Sequence, residues 1–228
     1  MVRYAVTSVK RYGGIVRNVP RADHEVEFIG GSLALDFANT LGGTHTAPSH
    51  EHIVEYADLV EFCRLAGTIS PTQGRRLVEE AARQPARAVA VLRRAISLRE
   101  AIWRVFDAYA KDGRADAADL ATIHEEELAA LRHARFQPSA SDVEYAWSDE
   151  LLLDRPLWAI ARSAAELRRS KDDLGRVREC GSDTCEWLFI DKSRNHTRRW
   201  CDMNDCGNAA KVRRFRQRQR APKAKASR

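Results

Sequence analysis

Cys180, Cys185, Cys201 and Cys206 form two Cys-x4-Cys pairs with fifteen residues between them. Thiolates are soft donors. Two close pairs, each held by a tight turn and joined by a connection long enough to bring them together, are what a tetrahedral metal ion requires. Four thiolates suit one Zn2+ by softness and geometry, and they leave it no open position, so the expected role is structural and not catalytic. A segment of about 40 residues buries too little apolar surface to fold unaided, so metal binding there would be folding. The competing readings are two disulfides or four unrelated buried thiols. A disulfide framework needs an oxidising compartment, and Met1 to Pro20 carries Arg3, Lys10, Arg11 and Arg17 without a continuous apolar stretch or a small-residue cleavage site. It does not read as a secretory signal, and a reduced cytoplasm is expected. The fifth cysteine, Cys63, lies among apolar residues at helical spacing and is expected in the core.

The second chemistry is cationic. Residues 192–228 hold thirteen Lys or Arg against Asp202 and Asp205, a balance of +11 that leaves −5 for residues 1–191 out of the total +6. Such asymmetry marks a polyanion-binding end on an acidic body, the alternative being a solvated tail. Lys211, Arg213, Arg214, Arg216, Arg218 and Arg220 fall on one helical segment from Ala209 that has no acidic residue. Arg214/Arg218 and Arg216/Arg220 repel at i, i+4, so this helix gains stability on meeting an anion lattice. Guanidinium grips phosphate or guanine in bidentate fashion, which makes DNA the expected partner, with Arg194, Arg198 and Arg199 gripping the flanking backbone. An RNA-binding or ribosome-associated protein would use the same arginines and stack bases on Trp187, Phe189 and Trp200, provided those rings are exposed. An apolar stripe of Ala209, Val212 and Phe215 is expected to dock on the same rings.

These groups need a scaffold. The 228-residue chain, 44% hydrophobic, suffices for one ordinary domain and a small one, and it has no apolar run of membrane-spanning length. The fold expected is mainly α with a small β-sheet, an α+β arrangement: a helical N-terminal domain followed by a treble-clef-like zinc module with a β-hairpin and a basic helix. Residues 1–25 read as a flexible leader, and Glu25–Ile29 alternates like a strand. Ser32 should cap a helix over Leu33–Leu41 that Gly42-Gly43 ends. His45, His50 and His52 occupy a Thr/Ser/Pro-rich stretch without the helical spacing that orients imidazoles on a metal, and read as surface residues. Helices are expected from Ile53, from Ser70-Pro71 to about Arg83, over Ala88–Tyr109, over Ala115–His133 and from Pro156 to about Ser170, with a hairpin at Ala134–Phe136 and Val143–Trp147. In the terminal module, Glu186–Ile190 and Thr197–Trp200 read as hairpin strands, and Gly207-Asn208 as a positive-φ turn into the basic helix.

Taken together, Arg178-Glu179-Cys180, Phe189-Ile190-Asp191, Ser193-Arg194-Asn195, Arg198-Arg199-Trp200-Cys201-Asp202-Met203 and Cys206-Gly207-Asn208 resemble the CGNR zinc-finger proteins. Leu35-Asp36-Phe37-Ala38-Asn39-Thr40 looks like the signature of the ABATE domain, a transcription-regulator domain associated with stress. The resemblance covers roughly residues 25–220. It implies zinc at the four cysteines and a DNA-binding regulatory role, and the domains expected are a helical ABATE-like domain over 26–172, a CGNR-type finger over 176–220 and a basic disordered tail over 221–228. One position departs: the family's Arg after Gly-Asn is Ala209, so any phosphate contact made there passes to Lys211, Arg213 or Arg214. Asp36, Asn39 and Thr40, at i, i+3 and i+4 on an apolar helix, form either a ligand pocket or a buried network tying the helix to neighbouring loops.

The function expected is a bacterial-type, cytoplasmic, nucleoid-associated transcription regulator, whose zinc module holds DNA while the helical domain senses a signal or forms a homodimer. Enzyme chemistry, with Asp36 and a loop histidine as acid and base, has no defined spacing behind it.

Overall fold

Ser32 opens the first helix in the computed structural model, which describes residues 19–138 and 143–220. The expected leader up to residue 18, the tail 221–228 and the tip of the 134–147 hairpin lie outside the described residues. Helix α1 (Leu33–Ala38) is capped by the Ser32 hydroxyl, which accepts from the Leu35 N–H. It ends three residues before the expected stop, because Thr40 turns its hydroxyl back onto the Phe37 carbonyl at 2.7 Å and Asn39 is the C-cap. Leu41–Gly43 is therefore a strand, β1, antiparallel to β2 (Pro48–Glu51), with Gly43 at φ 86° where the register shifts. Glu25–Ile29 is not a strand. Residues 20–22 instead lie along β2, through the Glu51 N–H to Pro20 and the Ala22 N–H to Glu51, both at 2.9 Å.

The helical body follows as α2 (Tyr56–Leu65), α3 (Pro71–Arg83), α4 (Pro85–Ala110), α5 (Ala117–Leu131), α6 (Arg155–Arg169) and the short α7 (Lys171–Leu174). Local signals set these boundaries: a Ser70/Gln73 capping box with Pro71 in the first turn for α3, and an Asp116 cap for α5. Between α5 and α6, β3 (Ala134–Pro138) and β4 (Val143–Trp147) pair in antiparallel register, as the sequence indicates. α4 is the central rod. Its Val91, Leu92, Ala95, Leu98, Ile102, Val105 and Phe106 are buried against α1, α2, α5 and α6. Bidentate Arg94–Glu126 and Arg104–Asp119 pairs fasten α4 to α5. Cys63 is fully buried, as expected.

The chain then enters β5 (Val177–Glu179), loops through Cys180 and Cys185, and returns as β6 (Leu188–Ile190), antiparallel to β5. This corrects the expected hairpin. The partner of β6 precedes the first cysteine pair, and Thr197–Trp200 is not a strand. Three separate two-stranded sheets result among the described residues. A π-helical turn (Met203–Gly207) leads into the last helix, α8 (Asn208–Arg220). Asn208 is already helical at φ −68°, so the chain enters α8 without a left-handed break, and Gly207 has a different use: a Cβ there would lie 3.0 Å from the Met203 sulfur. None of the described helices is long and apolar enough to cross a membrane.

Candidate metal centre and nucleic-acid interface

The four cysteines converge. Cys180 and Cys185 flank a tight loop closed by the Cys185 N–H to the Ser182 carbonyl (3.1 Å), and the Gly181 N–H reaches the Arg199 carbonyl at 2.8 Å. Gly181 permits that approach, since a Cβ would stand 3.1 Å from the same oxygen. Cys201 arrives beside the first pair and its N–H points at the Cys180 sulfur, while Cys206 comes from the π-helical turn capped by Asp202. All four sulfurs lie within 4.8 Å of one another and are buried or nearly so. Cys185–Cys201 and Cys201–Cys206 separate by 3.7 and 3.6 Å. A tetrahedron of Zn–S bonds of about 2.3 Å has edges of about 3.8 Å, which these two separations match. Disulfides need sulfurs about 2.05 Å apart, and the cysteines are free thiols here. Hydrogen bonds from Cys185 and Cys201 hold the Cys180 thiol well below the usual thiol range. Four buried thiol donors in this shape hold one structural zinc ion through Cys180, Cys185, Cys201 and Cys206, with no position left for substrate.

Asp191 shapes the loop between the cysteine pairs. It is fully buried and accepts from the Ser193 N–H and hydroxyl and from the Arg198 N–H. Arg198 consequently turns inward: its guanidinium bonds the carbonyls of Trp200 (3.0 Å) and Cys201 and lies 4.3 Å over the Phe189 ring. Arg194 and Arg199 stay exposed.

Helix α8 stands away from the body. Among its residues of described burial only Ala210 is buried, and Arg213 is half-buried with a bond to the Ser182 hydroxyl at 3.1 Å. Val212 and Phe215 are 48% and 62% exposed, so the expected docking of the apolar stripe on the module's aromatic rings does not occur. The reason is visible in those rings. Phe189 is sealed beneath Arg198, Trp187 donates to the Leu41 carbonyl at 3.0 Å, and Trp200 covers Gly181 and Gly207. Lys211, Arg214, Arg216 and Arg218 are exposed, and no carboxylate among the described residues pairs with them. Lys211, Arg214 and Arg218 recur at i, i+3 and i+7 and share one exposed flank of the helix beside the Ala210/Arg213 contact, with Phe215 next to them on the side away from it. Arg220 ends the helix. Ala209 is half-buried at the helix start, beside Asn208, whose amide donates to the Asn204 carbonyl at 2.9 Å.

The zinc module is not tethered loosely. Asn39 at the end of α1 donates to the Leu188 carbonyl and accepts from the Leu188 N–H, both at 2.9 Å. Trp103 on α4 donates to the Glu186 carbonyl (3.1 Å), and the Ile190 N–H donates to the Gly30 carbonyl (2.8 Å). The other two residues of the polar trio are also engaged. Asp36 accepts the Gly30 N–H at 2.7 Å, and burial pushes its carboxyl up to about 6 despite that bond. Thr40 accepts from Arg99, a buried cation on α4 that forks onto Glu51 of β2 at 2.7 and 2.8 Å. Sequence reasoning missed Arg99 and Glu51, which lie 48 residues apart and carry no local signal of partnership. The histidines read as surface residues are half-buried: His45 stacks on Trp103 with ring centres 3.4 Å apart, while His50 and His52 gather with His24.

No curated protein matches the chain. Family models do: one described as "CGNR zinc finger" matches residues 176–219, the span holding the thiolate cage and α8, and one described as "Putative stress-induced transcription regulator", ABATE, matches residues 31–171, the helical body. Since the ABATE match spans well over half its length and the finger's sulfurs close on one another as zinc requires, this chain belongs to the ABATE family and carries a CGNR zinc finger.

Proposed function

We propose that this member of a transcription-regulator family binds double-stranded DNA through α8, with the zinc centre fixing the helix on the body. The observation that carries the proposal is the exposure of α8, whose Lys211, Arg214 and Arg218 share one exposed flank without a carboxylate partner among the described residues. A helix of this diameter enters a major groove, and guanidinium forks there can bind phosphate or guanine edges. Arg194 and Arg199, exposed on the loop beside the cage, supply further phosphate contacts, whereas Arg198 supports the cage. The RNA alternative relied on exposed rings for stacking, and the burial of Phe189 removes one of them. The proposal includes a homodimer formed through the helical domain, which would bring two copies of α8 onto one duplex in the nucleoid, in response to a stress signal. Selection from a random duplex library by the zinc-loaded chain tests it. Enrichment of a sequence, retained against excess single-stranded RNA, supports the reading; indifference to sequence and strandedness removes the transcription-factor role. The mass of the complex reports whether one or two chains occupy each duplex.

A further inference from the structure

His50 lies in β2 and His52 one residue past its end, and their imidazoles come together with ring centres 5.2 Å apart. The irregular segment before α1 runs back along β2 and brings His24 to them. The three rings meet with centroids 4.6, 5.0 and 5.2 Å apart and planes nearly perpendicular, at 76°, 87° and 89°. One nitrogen from each lies within 4.8 Å of the others. Around an ion with metal–nitrogen bonds of about 2.1 Å, the nitrogens would stand about 3.0–3.4 Å apart, a closure within reach of small side-chain rotations.

Two further features mark this cluster as built. The Nε2 atom of His50 is buried and has no hydrogen-bond partner, a costly arrangement for a polar atom unless something binds it. Its ring is seated by Gly42 on the paired strand, where a Cβ would lie 2.0–2.5 Å from the imidazole, so the sheet carries a glycine where His50 must lie flat. A cavity of about 250 Å3 bordered by His24, His52, Glu25 and Asp58 adjoins the cluster and gives solvent access for remaining ligands.

We propose that His24, His50 and His52 form a second metal site, for a divalent ion of the borderline class such as Co2+, Ni2+, Zn2+ or Cu2+, separate from the thiolate centre. Imidazole donors suit these ions, and a three-nitrogen face beside an open cavity, completed by water, is a binding site and not a closed structural one. Bound metal would pin the segment before α1 onto β2. There Glu51, between His50 and His52, already grips Arg99, so the site joins the same structural chain that reaches Thr40.

The test uses the full chain without a polyhistidine tag and with its thiolate centre already loaded with zinc. Titration with Co2+ and with Ni2+, followed by calorimetry and absorption, is expected to show one further equivalent per chain, whose cobalt spectrum lacks sulfur charge-transfer bands. His24→Ala, a change in an exposed side chain, should weaken that equivalent at least about tenfold, as should His52→Ala. His124→Ala, on the exposed face of α5, should leave it intact. Thermal unfolding of each variant reports folding, and a Ni2+-induced rise in midpoint should occur in the wild type and disappear in His24→Ala. Binding of no further equivalent, or equal binding by the wild type and a folded His24→Ala chain, overturns the proposal.

Discussion

Asn39→Ala isolates the joint between the helical body and the zinc module. The β5–β6 pair is bonded at Cys180/Trp187 and Arg176/Asp191, and antiparallel alternation turns the Leu188 N–H and C=O to the outer edge, away from β5. Nothing but the Asn39 carboxamide is bonded to them there among the described residues, and Leu188 is fully buried. Truncation orphans one buried donor and one buried acceptor, each costing about 1–3 kcal/mol, so the expected loss is about 2–6 kcal/mol. For a domain of this size that lowers the melting midpoint by roughly 5–20 °C. Asn39→Asp still accepts from the N–H but presents no donor to the carbonyl, so it should fall no less than partway and retain none of the amide's donation. Denaturant unfolding of zinc-loaded protein at constant ionic strength measures both. A change below about 0.5 kcal/mol for Asn39→Ala would refute the reasoning and favour a pocket-lining role, in which loss of the side chain leaves the fold intact.

Other expectations follow from the same geometry. Asp36 has a folded pKa raised from 3.8 to about 6 by burial, so the folded chain binds a proton more tightly than the unfolded one. Its penalty is absent below about pH 4 and grows to its full value, on the order of 3 kcal/mol, above the folded pKa, so stability falls as pH rises through this window. Asp36→Asn should flatten that part of the stability–pH curve and be the more stable protein at pH 7; parallel curves would contradict the assignment. Cys201→Ser should abolish retention of zinc at the thiolate centre and unfold the cysteine loops and α8 while far-UV circular dichroism keeps most of the helical signal of the body, because the main core rests on α1 through α6, with only Val177, Leu188 and Ile190 of the terminal module packed into it. One zinc held at that centre, with its cobalt charge-transfer bands intact, would contradict the ligand set. Arg214→Ala with Arg218→Ala should leave melting unchanged and reduce the salt slope of duplex binding by about 2.

The elements legible in the sequence are those whose signals are local. Ser70-Pro71 with Gln73 states where α3 starts, the periodic run of α4 states which face is buried, and four cysteines at matched spacing state a cage before any coordinates exist. What escaped depends on remote partners. Val177–Glu179 and Thr197–Trp200 have comparable claims to pair with β6, and the choice is made by the body, which receives β5 against α4 and leaves the later segment to wrap Asp191. Glu25–Ile29 alternates like a strand but finds no free sheet edge, its neighbour Gly30 serving as an acceptor for Ile190. The stripe of Val212 and Phe215 looked like a docking face because amphipathicity records apolar spacing and not whether a receiving surface remains; Arg198 and Leu41 had already taken the rings. His24 joins His50 and His52 across 26 residues, a proximity that no window of sequence reports.

The central claim is that a zinc-fixed helix presents its cations to duplex DNA, and the salt dependence of binding measures it most directly. The proposed contact takes in five of the exposed cations, Lys211, Arg214 and Arg218 on one flank of α8 with Arg194 and Arg199 on the loop. Affinity for duplex DNA measured from about 50 to 200 mM salt should therefore fall with a log–log slope of about −4 to −5, and it should collapse when the zinc is withdrawn. A slope near zero, or undiminished affinity in the metal-free chain, would contradict the account.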